Sequence, residues 1–217
     1  MSEVLLARRP KGRRRPQNSL RIIAGRWRSR KIDFIDSIEV RPTPDRIRET
    51  LFNWLGTRTP GSRCLDLFAG SGILSIEALS RGAASVTLVD RNPEVVHHIR
   101  STLSHLGGLD TVTLHASHAD HFVSGSKEQF DLVFLDPPFS LCDGHTADNN
   151  LMLSTLEDLS AHGLLADSAM VYVESPRALD ALTLPSKWQI DRYKRAGDVH
   201  YGLLSQSSGC PTNGVCV

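Results

Sequence analysis

Apolar positions along the chain recur with two different periods, and the alternation between them predicts the elements. Cys64 to Phe68, Ser85 to Asp90, Val112 to His115, Phe130 to Asp136 and Ala169 to Glu174 are short apolar runs of strand length. Between them lie segments of helical spacing: Ile73 to Arg81, stopped by Gly82, and Asn92-Pro93 to about Leu106, ended by Gly107-Gly108. A third runs from Asn150 to Ala161, with Leu151, Leu156 and Leu159 inward and Gly163 beyond its end. Strand alternating with helix predicts the α/β class with a mostly parallel sheet. Near the C-terminus the style changes. Trp188 to Lys194, a turn at Ala196-Gly197-Asp198, and Val199 to Leu204 predict an antiparallel pair on the sheet's edge.

Ahead of the first strand, Leu20 to Ile23 and Arg30 to Ile32 flank Ala24-Gly25-Arg26-Trp27-Arg28, which predicts a small hairpin with arginines and a tryptophan at its tip. A helix opens at Arg41-Pro42-Thr43-Pro44-Asp45-Arg46, with Thr43 as N-cap, Pro44 in the first helical position and Asp45 complementing the dipole. Ile47, Leu51, Trp54 and Leu55 fall on one face and belong to the core, which leaves Arg46, Arg48 and Glu49 on the exposed side. The expected organisation is a basic disordered tail over 1–19, the hairpin and helix over 20–60, a sheet domain over 61–206 and a disordered tail over 207–217.

Composition bounds this picture without changing it. A chain of 217 residues, 40% hydrophobic and 23% charged, is an ordinary globular sequence, long enough for one core that needs no disulfide staples. Cys64, Cys142, Cys210 and Cys216 form no C-x-x-C pair and are assigned no catalytic role. The longest apolar runs, such as Ala169 to Val173, fall far short of the roughly 20 residues that span a bilayer, and no apolar leader follows the charged N-terminus. The cytoplasm is the expected compartment, with no membrane partner.

Charge does change the picture. Residues 1–31 hold 11 Lys/Arg against one acid, a balance of +10, which leaves 14 Lys/Arg against 23 acids, or −9, in the remainder. Lys11-Gly12-Arg13-Arg14-Arg15 is too self-repelling to pack, so it reads either as a solvated tail or as a nucleic-acid patch. Arginines beside a tryptophan in the hairpin favour the second reading, because that combination suits phosphates and stacked bases.

Chemistry concentrates at the carboxyl ends of the predicted strands. Asp66-Leu67-Phe68-Ala69-Gly70-Ser71-Gly72 spans the first strand-to-helix turn, where glycines let a ligand approach the backbone, and Asp90 ends the second strand, placed to accept from ribose hydroxyls. Leu74 and Ser75 stand where a dinucleotide fingerprint needs its third glycine, and no Walker lysine follows, so NAD, FAD and nucleoside triphosphates are disfavoured. An acid, a short apolar gap and G-x-G, with an acid ending strand two, resembles the S-adenosylmethionine-dependent methyltransferases instead. Ala119-Asp120 falls where such enzymes hold the adenine ring, although an ordinary turn acid accounts for it equally well. His115, His118 and His121 match no zinc framework, and no metal is expected.

Asp136-Pro137-Pro138-Phe139, after the fourth strand, matches the D/N-P-P-F/Y signature of amino-methyltransferases. An exocyclic base amine is a poor nucleophile because its lone pair is delocalised into the ring. Asp136 and the Pro137 carbonyl can accept its two N–H bonds and aim the lone pair at a methyl donor, Pro138 offers no competing N–H, and Phe139 can stack an extruded base. A rigid strand exit capped by Asp136 is the bland alternative.

Arg21 to Trp27, Arg41-Pro42-Thr43 with Arg46 to Leu55, Asp66 to Gly72, Asp136 to Phe139, Tyr172-Val173-Glu174 and Tyr201-Gly202-Leu203 together resemble the RsmD family over roughly residues 20–205. The resemblance implies a Rossmann-like class I S-adenosylmethionine-dependent methyltransferase fold. It implies methyl transfer to the N2 amine of one guanine in 16S ribosomal RNA, of the position-966 type, with S-adenosylhomocysteine as product. The small ribosomal subunit or a late assembly intermediate would be the substrate and the enzyme a monomer. On this reading Asp136, Pro137 and Phe139 are catalytic, and Asp66, Phe68, Gly70, Gly72, Asp90, Ala119 and Asp120 bind the cofactor. Arg26, Trp27, Arg28, Arg41 and Arg46 engage RNA. A DNA amino-methyltransferase acting on adenine or cytosine, and a non-catalytic RNA-binding module, are the rival readings.

Overall fold

A computed structural model describes residues 19–34, 42–138 and 147–207. Ser19–Arg21 (β1) and Lys31–Asp33 (β2) pair antiparallel as the expected hairpin, and Asp45–Leu55 (α1) follows. The main sheet is built from Arg63–Asp66 (β3), Ser85–Asp90 (β4), Val112–Ala116 (β5), Phe130–Leu135 (β6), Leu165–Ser175 (β7), Trp188–Ala196 (β8) and Val199–Gln206 (β9). Its helices are Ile73–Ser80 (α2), Pro93–Leu106 (α3), Ala119–Gly125 (α4) and Ala147–Ala161 (α5). Among the described residues the strand order is β5-β4-β3-β6-β7-β9-β8, parallel from β5 to β7 and antiparallel at β9 and β8. This is the α/β architecture with an edge pair that the periodicity predicts.

Period-two alternation in the central strands divides the core between the sheet's faces. Leu132 and Phe134 of β6 face α1, α2, α3 and the hairpin, whereas Val133 and Leu135 pack with Met152, Leu156 and Leu159 of α5. The inner stretches of these strands, such as Leu132 to Leu135, are continuous apolar runs because both faces are covered. The chain runs outward from β3 through β4 to β5, then crosses back to β6 on the other side of β3. That reversal opens a crevice at the strands' carboxyl ends, where ligands of open α/β sheets bind.

Several expectations need correction. The N-cap of α1 is Pro44, one residue later than expected, and no side chain caps that end, because proline carries no side-chain acceptor and the buried Thr43 stands one residue outside the cap. Arg48, expected on the exposed face, is 0% exposed. Its guanidinium donates to the Thr43 carbonyl at 3.1 Å, the Arg21 carbonyl at 3.1 Å, Glu77 at 3.3 Å and Asp45, so every polar edge has a partner. Strand β7 begins four residues before the expected Ala169, across a bulge between Phe130 and Leu132 of β6. Helix α4 lies where the sequence shows no helical pattern.

Candidate active site

Five strand ends and the turn between β8 and β9 enclose a cavity of about 880 Å³. The loop from Asp66 to Gly72 forms one wall. Ala69 N–H donates to the Val89 carbonyl at 3.0 Å and Gly70 N–H to Asp90 Oδ2 at 2.9 Å, which ties the loop to the end of β4. Asp90 Oδ1 accepts from Asn92 N–H at 2.8 Å, so one carboxylate fixes the starts of both neighbouring turns. Gly72 caps α2 with φ of 72°, a left-handed conformation, and a Cβ there would lie 3.2 Å from Ile99. The loop is therefore a narrow cradle closed from behind by α3.

Asp66 is 3% exposed and accepts from Ser75 Oγ at 2.7 Å. Burial pushes its carboxyl up to about 7, opposed by the Ser75 hydrogen bond and reinforced by the negative charge of Asp90. At the end of β5, Ser117, His118, Ala119 and Asp120 line the same cavity, and Asp120 accepts from His121 N–H at 2.8 Å. The three histidines do not converge: His115 packs on Phe122, the His118 and His121 rings are 6.2 Å apart, and no metal-binding cluster occurs among the described residues.

Asp136, Pro137 and Pro138 leave β6 into the cavity, half-buried at Asp136. Burial raises the Asp136 carboxyl well above the ordinary carboxylate range, with further upward pressure from Glu174 and Asp66 and a smaller downward pull from the nearby Thr43 hydroxyl. Phe139 lies outside the described residues, as does Arg41.

The cavity thus gathers Asp66, Phe68, Gly70, Asp90, Ala119, Asp120, Asp136 and Pro137 from segments up to 71 positions apart, with the exposed Arg46 at its rim and Gly72 behind the loop. The hairpin tip is elsewhere. Arg26 N–H donates to the Ser80 carbonyl at 2.7 Å, at the opposite end of α2 from Gly72, so Arg26 and Arg28 are exposed away from the cavity. Trp27, expected to meet RNA, is corrected to a core residue: it is 5% exposed. Its ring occupies the space that a side chain on Gly108 would need, and the Arg26 guanidinium covers it 4.0 Å from its centroid. An Arg-Trp-Arg tip suggests stacking only while the bare glycine that receives the ring is unseen.

Thr43 and Glu174 also line the cavity and were not among the expected site residues. Glu174 had a readable signal. It is an acid ending an otherwise apolar strand, as Asp66, Asp90 and Asp136 are. For Thr43 the local pattern points to a cap instead.

S-adenosylmethionine fits what these residues offer. It carries a sulfonium and an ammonium group, and the acids lining the cavity outnumber its two arginines, Arg46 and Arg91. The glycine loop and Asp90 form the backbone cradle and carboxylate that an amino acid joined to a nucleoside would use. No helix of the described residues is long and apolar enough to cross a membrane.

Comparison with known proteins agrees with this geometry. The chain is 40% identical to Ribosomal RNA small subunit methyltransferase D of Escherichia coli over 189 residues, covering 87% of this chain and 91% of the relative. The Haemophilus influenzae protein of the same name is 38% identical over 191 residues, 86% of this chain and 94% of the relative. Among solved structures, Escherichia coli yhhF superposes with a TM-score of 0.75 at 39% identity, covering 87% of this chain and 98% of the other. A Streptococcus mutans structure described as a sam-dependent methyltransferase shares this fold, with a TM-score of 0.64 at 14% identity over 89% of this chain and 56% of the other. With residues 20–205 matching the family described as Conserved hypothetical protein 95, the chain belongs to the RsmD family of methyltransferases.

Proposed function

We propose that this protein transfers a methyl group from S-adenosylmethionine to the exocyclic N2 amine of one guanine in 16S ribosomal RNA, of the position-966 type, within the small ribosomal subunit or a late assembly intermediate. The relatives' name supplies the RNA class. The observation that carries the chemistry is the opening of Asp136-Pro137-Pro138 into the same cavity as the glycine loop and Asp90. Gly70, Gly72, Asp90 and Phe68 would hold the cofactor's amino-acid and ribose portions, with Ala119 and Asp120 beside its base. When bound, it supplies an electrophilic methyl group on positively charged sulfur.

Asp136 accepts from the guanine amine and aims its lone pair across the cavity, an effect of position and electrostatics. Pro137 contributes its carbonyl and Phe139 a stacking face. Arg46 stands at the cavity rim, while Arg26 and Arg28 would meet phosphates farther along the RNA. The enzyme acts as a cytoplasmic monomer.

Small subunits lacking the modification, naked 16S RNA and duplex DNA, each offered with labelled S-adenosylmethionine, test the reading. N2-methylguanosine at one subunit position is the expected result. Label on DNA adenine or cytosine would keep the Asp136 chemistry but overturn the substrate, and absence of transfer to all three would overturn the activity.

A further inference from the structure

The sheet register brings a second acid to Asp136. Strands β6 and β7 pair in parallel from Leu132 with Met170 to Leu135 with Val173, so the next step sets Asp136 beside Glu174 on the same face. Neighbouring strands lie only about 4.8 Å apart. Glu174 is 4% exposed, lines the cavity wall, and accepts from the Tyr172 hydroxyl at 2.7 Å. Thr43, 4% exposed, lines the same wall.

The other ionisable groups do not supply a compensating charge. Asp66 faces the pair from β3 and Tyr201 stands opposite Glu174 on β9, neither of them cationic. The buried Arg48 is engaged by Asp45 and Glu77. Of the cavity's two arginines, Arg46 is at the exposed start of α1 and Arg91 beyond the end of β4. Burial with no cation in the cluster disfavours two adjacent negative charges.

We propose that Glu174 is a positioning residue that shares one proton with Asp136, so that Asp136, the more exposed of the two, faces the substrate amine as the ionised member of a singly charged pair. This rests on the amine-holding role proposed for Asp136. Forming the N–C bond uses the N2 lone pair, and the electrons of the breaking C–S bond remain on sulfur. Nitrogen is then left with one proton too many. Asp136 takes it, and the pair becomes neutral until that proton passes to solvent. The amine left with the extra proton is strongly acidic, so the singly charged pair suffices to take that proton while the cavity is spared a second charge.

Side-chain carboxyl carbon NMR across a pH series, on the full chain without substrate, reads the pair directly. Wild-type Asp136 and Glu174 should titrate in two coupled steps, with one proton still held near neutral pH. In Glu174→Gln, which can still accept from Tyr172, the upper step should vanish and Asp136 should titrate in one step about one pH unit or more below it. A wild-type pair fully ionised at pH 7, or an Asp136 titration unmoved in Glu174→Gln while only Tm falls, overturns the proposal. Should Glu174→Gln fail to fold, the wild-type titration decides. Because the titration needs no RNA, it separates failure of the proton-sharing pair from failure of the proposed substrate.

Discussion

Arg48 and Glu77 form an ion pair at 3.3 Å in which both side chains are wholly buried, and through it the N-terminal hairpin is fastened to the methyltransferase sheet. Glu77 also accepts from the backbone N–H groups of Ile23 and Ala24 at 2.9 and 3.0 Å and from Arg81 at 2.8 Å. Arg48 reaches the carbonyls of Arg21 and Thr43. Burial works to lower the Arg48 pKa, against the pull of Asp45 and Glu77. Glu77→Gln should therefore remove one of the two carboxylates that compensate the buried guanidinium and cost about 2–3 kcal/mol, read as loss of unfolding free energy in urea. A loss below about 1 kcal/mol would show that the pair is not the fastening.

Asp90 holds Gly70 at 2.9 Å and Asn92 at 2.8 Å, so its removal should loosen the glycine loop as well as delete a ligand contact. Asp90→Ala is expected to weaken S-adenosylmethionine binding about tenfold or more, equivalent to ~1.4 kcal/mol or more. Asp136→Ala should leave that affinity nearly intact and abolish most turnover. Calorimetric titration of the cofactor into both variants distinguishes the roles; equal weakening in the two would remove the distinction.

The strand pattern is legible in the sequence because β3, β4 and β6 are buried on both faces over most of their length and bounded by turns. Ser85 to Asp90 is read from sequence with the ends the structure has. Helix α4 is not legible: only Val123 is buried among its seven residues, too little for a period to show. Arg48 misleads for a different reason. A stripe reading sorts positions by side-chain type, and the partner that makes its burial possible is 29 positions away. The acids of the candidate site are visible one by one as polar ends of apolar strands. Their grouping is not, since the approach of Asp136 to Glu174 is a matter of β6–β7 register and Thr43 arrives from outside the sheet.

Trp27 and Arg28 adjoin in sequence but should separate in experiment. Trp27→Ala removes a ring packed over Gly108 and should cost about 3–5 kcal/mol of stability. Arg28 is exposed at the hairpin tip, so Arg28→Ala should leave stability within about 0.5 kcal/mol and weaken RNA binding at low salt. The logarithm of RNA affinity against that of salt should lose close to one contact's slope in Arg28→Ala. If Trp27→Ala instead unfolds like wild type while losing RNA affinity, the ring serves RNA and not the core.

Asp66 makes stability depend on pH in a direction opposite to that of a salt-bridged carboxylate. An unfolded-chain aspartate titrates near 3.9, roughly, whereas burial holds the folded Asp66 up to about 7. The folded chain therefore binds this proton more tightly. Its stabilising contribution is fully present below the unfolded value and is lost as pH rises through about 7, with a slope of up to ~1.4 kcal/mol per pH unit. Asp136 and Glu174 are also raised and add slopes of the same sign, so the informative quantity is the difference between wild type and Asp66→Asn. Unfolding free energies measured from pH 4 to 8 should fall more steeply in wild type than in the variant. Cofactor binding should show the reverse trend, because a cationic ligand favours the ionised carboxylate: affinity should rise through pH 7 in wild type and rise less in Asp66→Asn. Parallel stability curves for the two proteins would mean that Asp66 is already ionised in the folded chain, held so by the 2.7 Å hydrogen bond from Ser75.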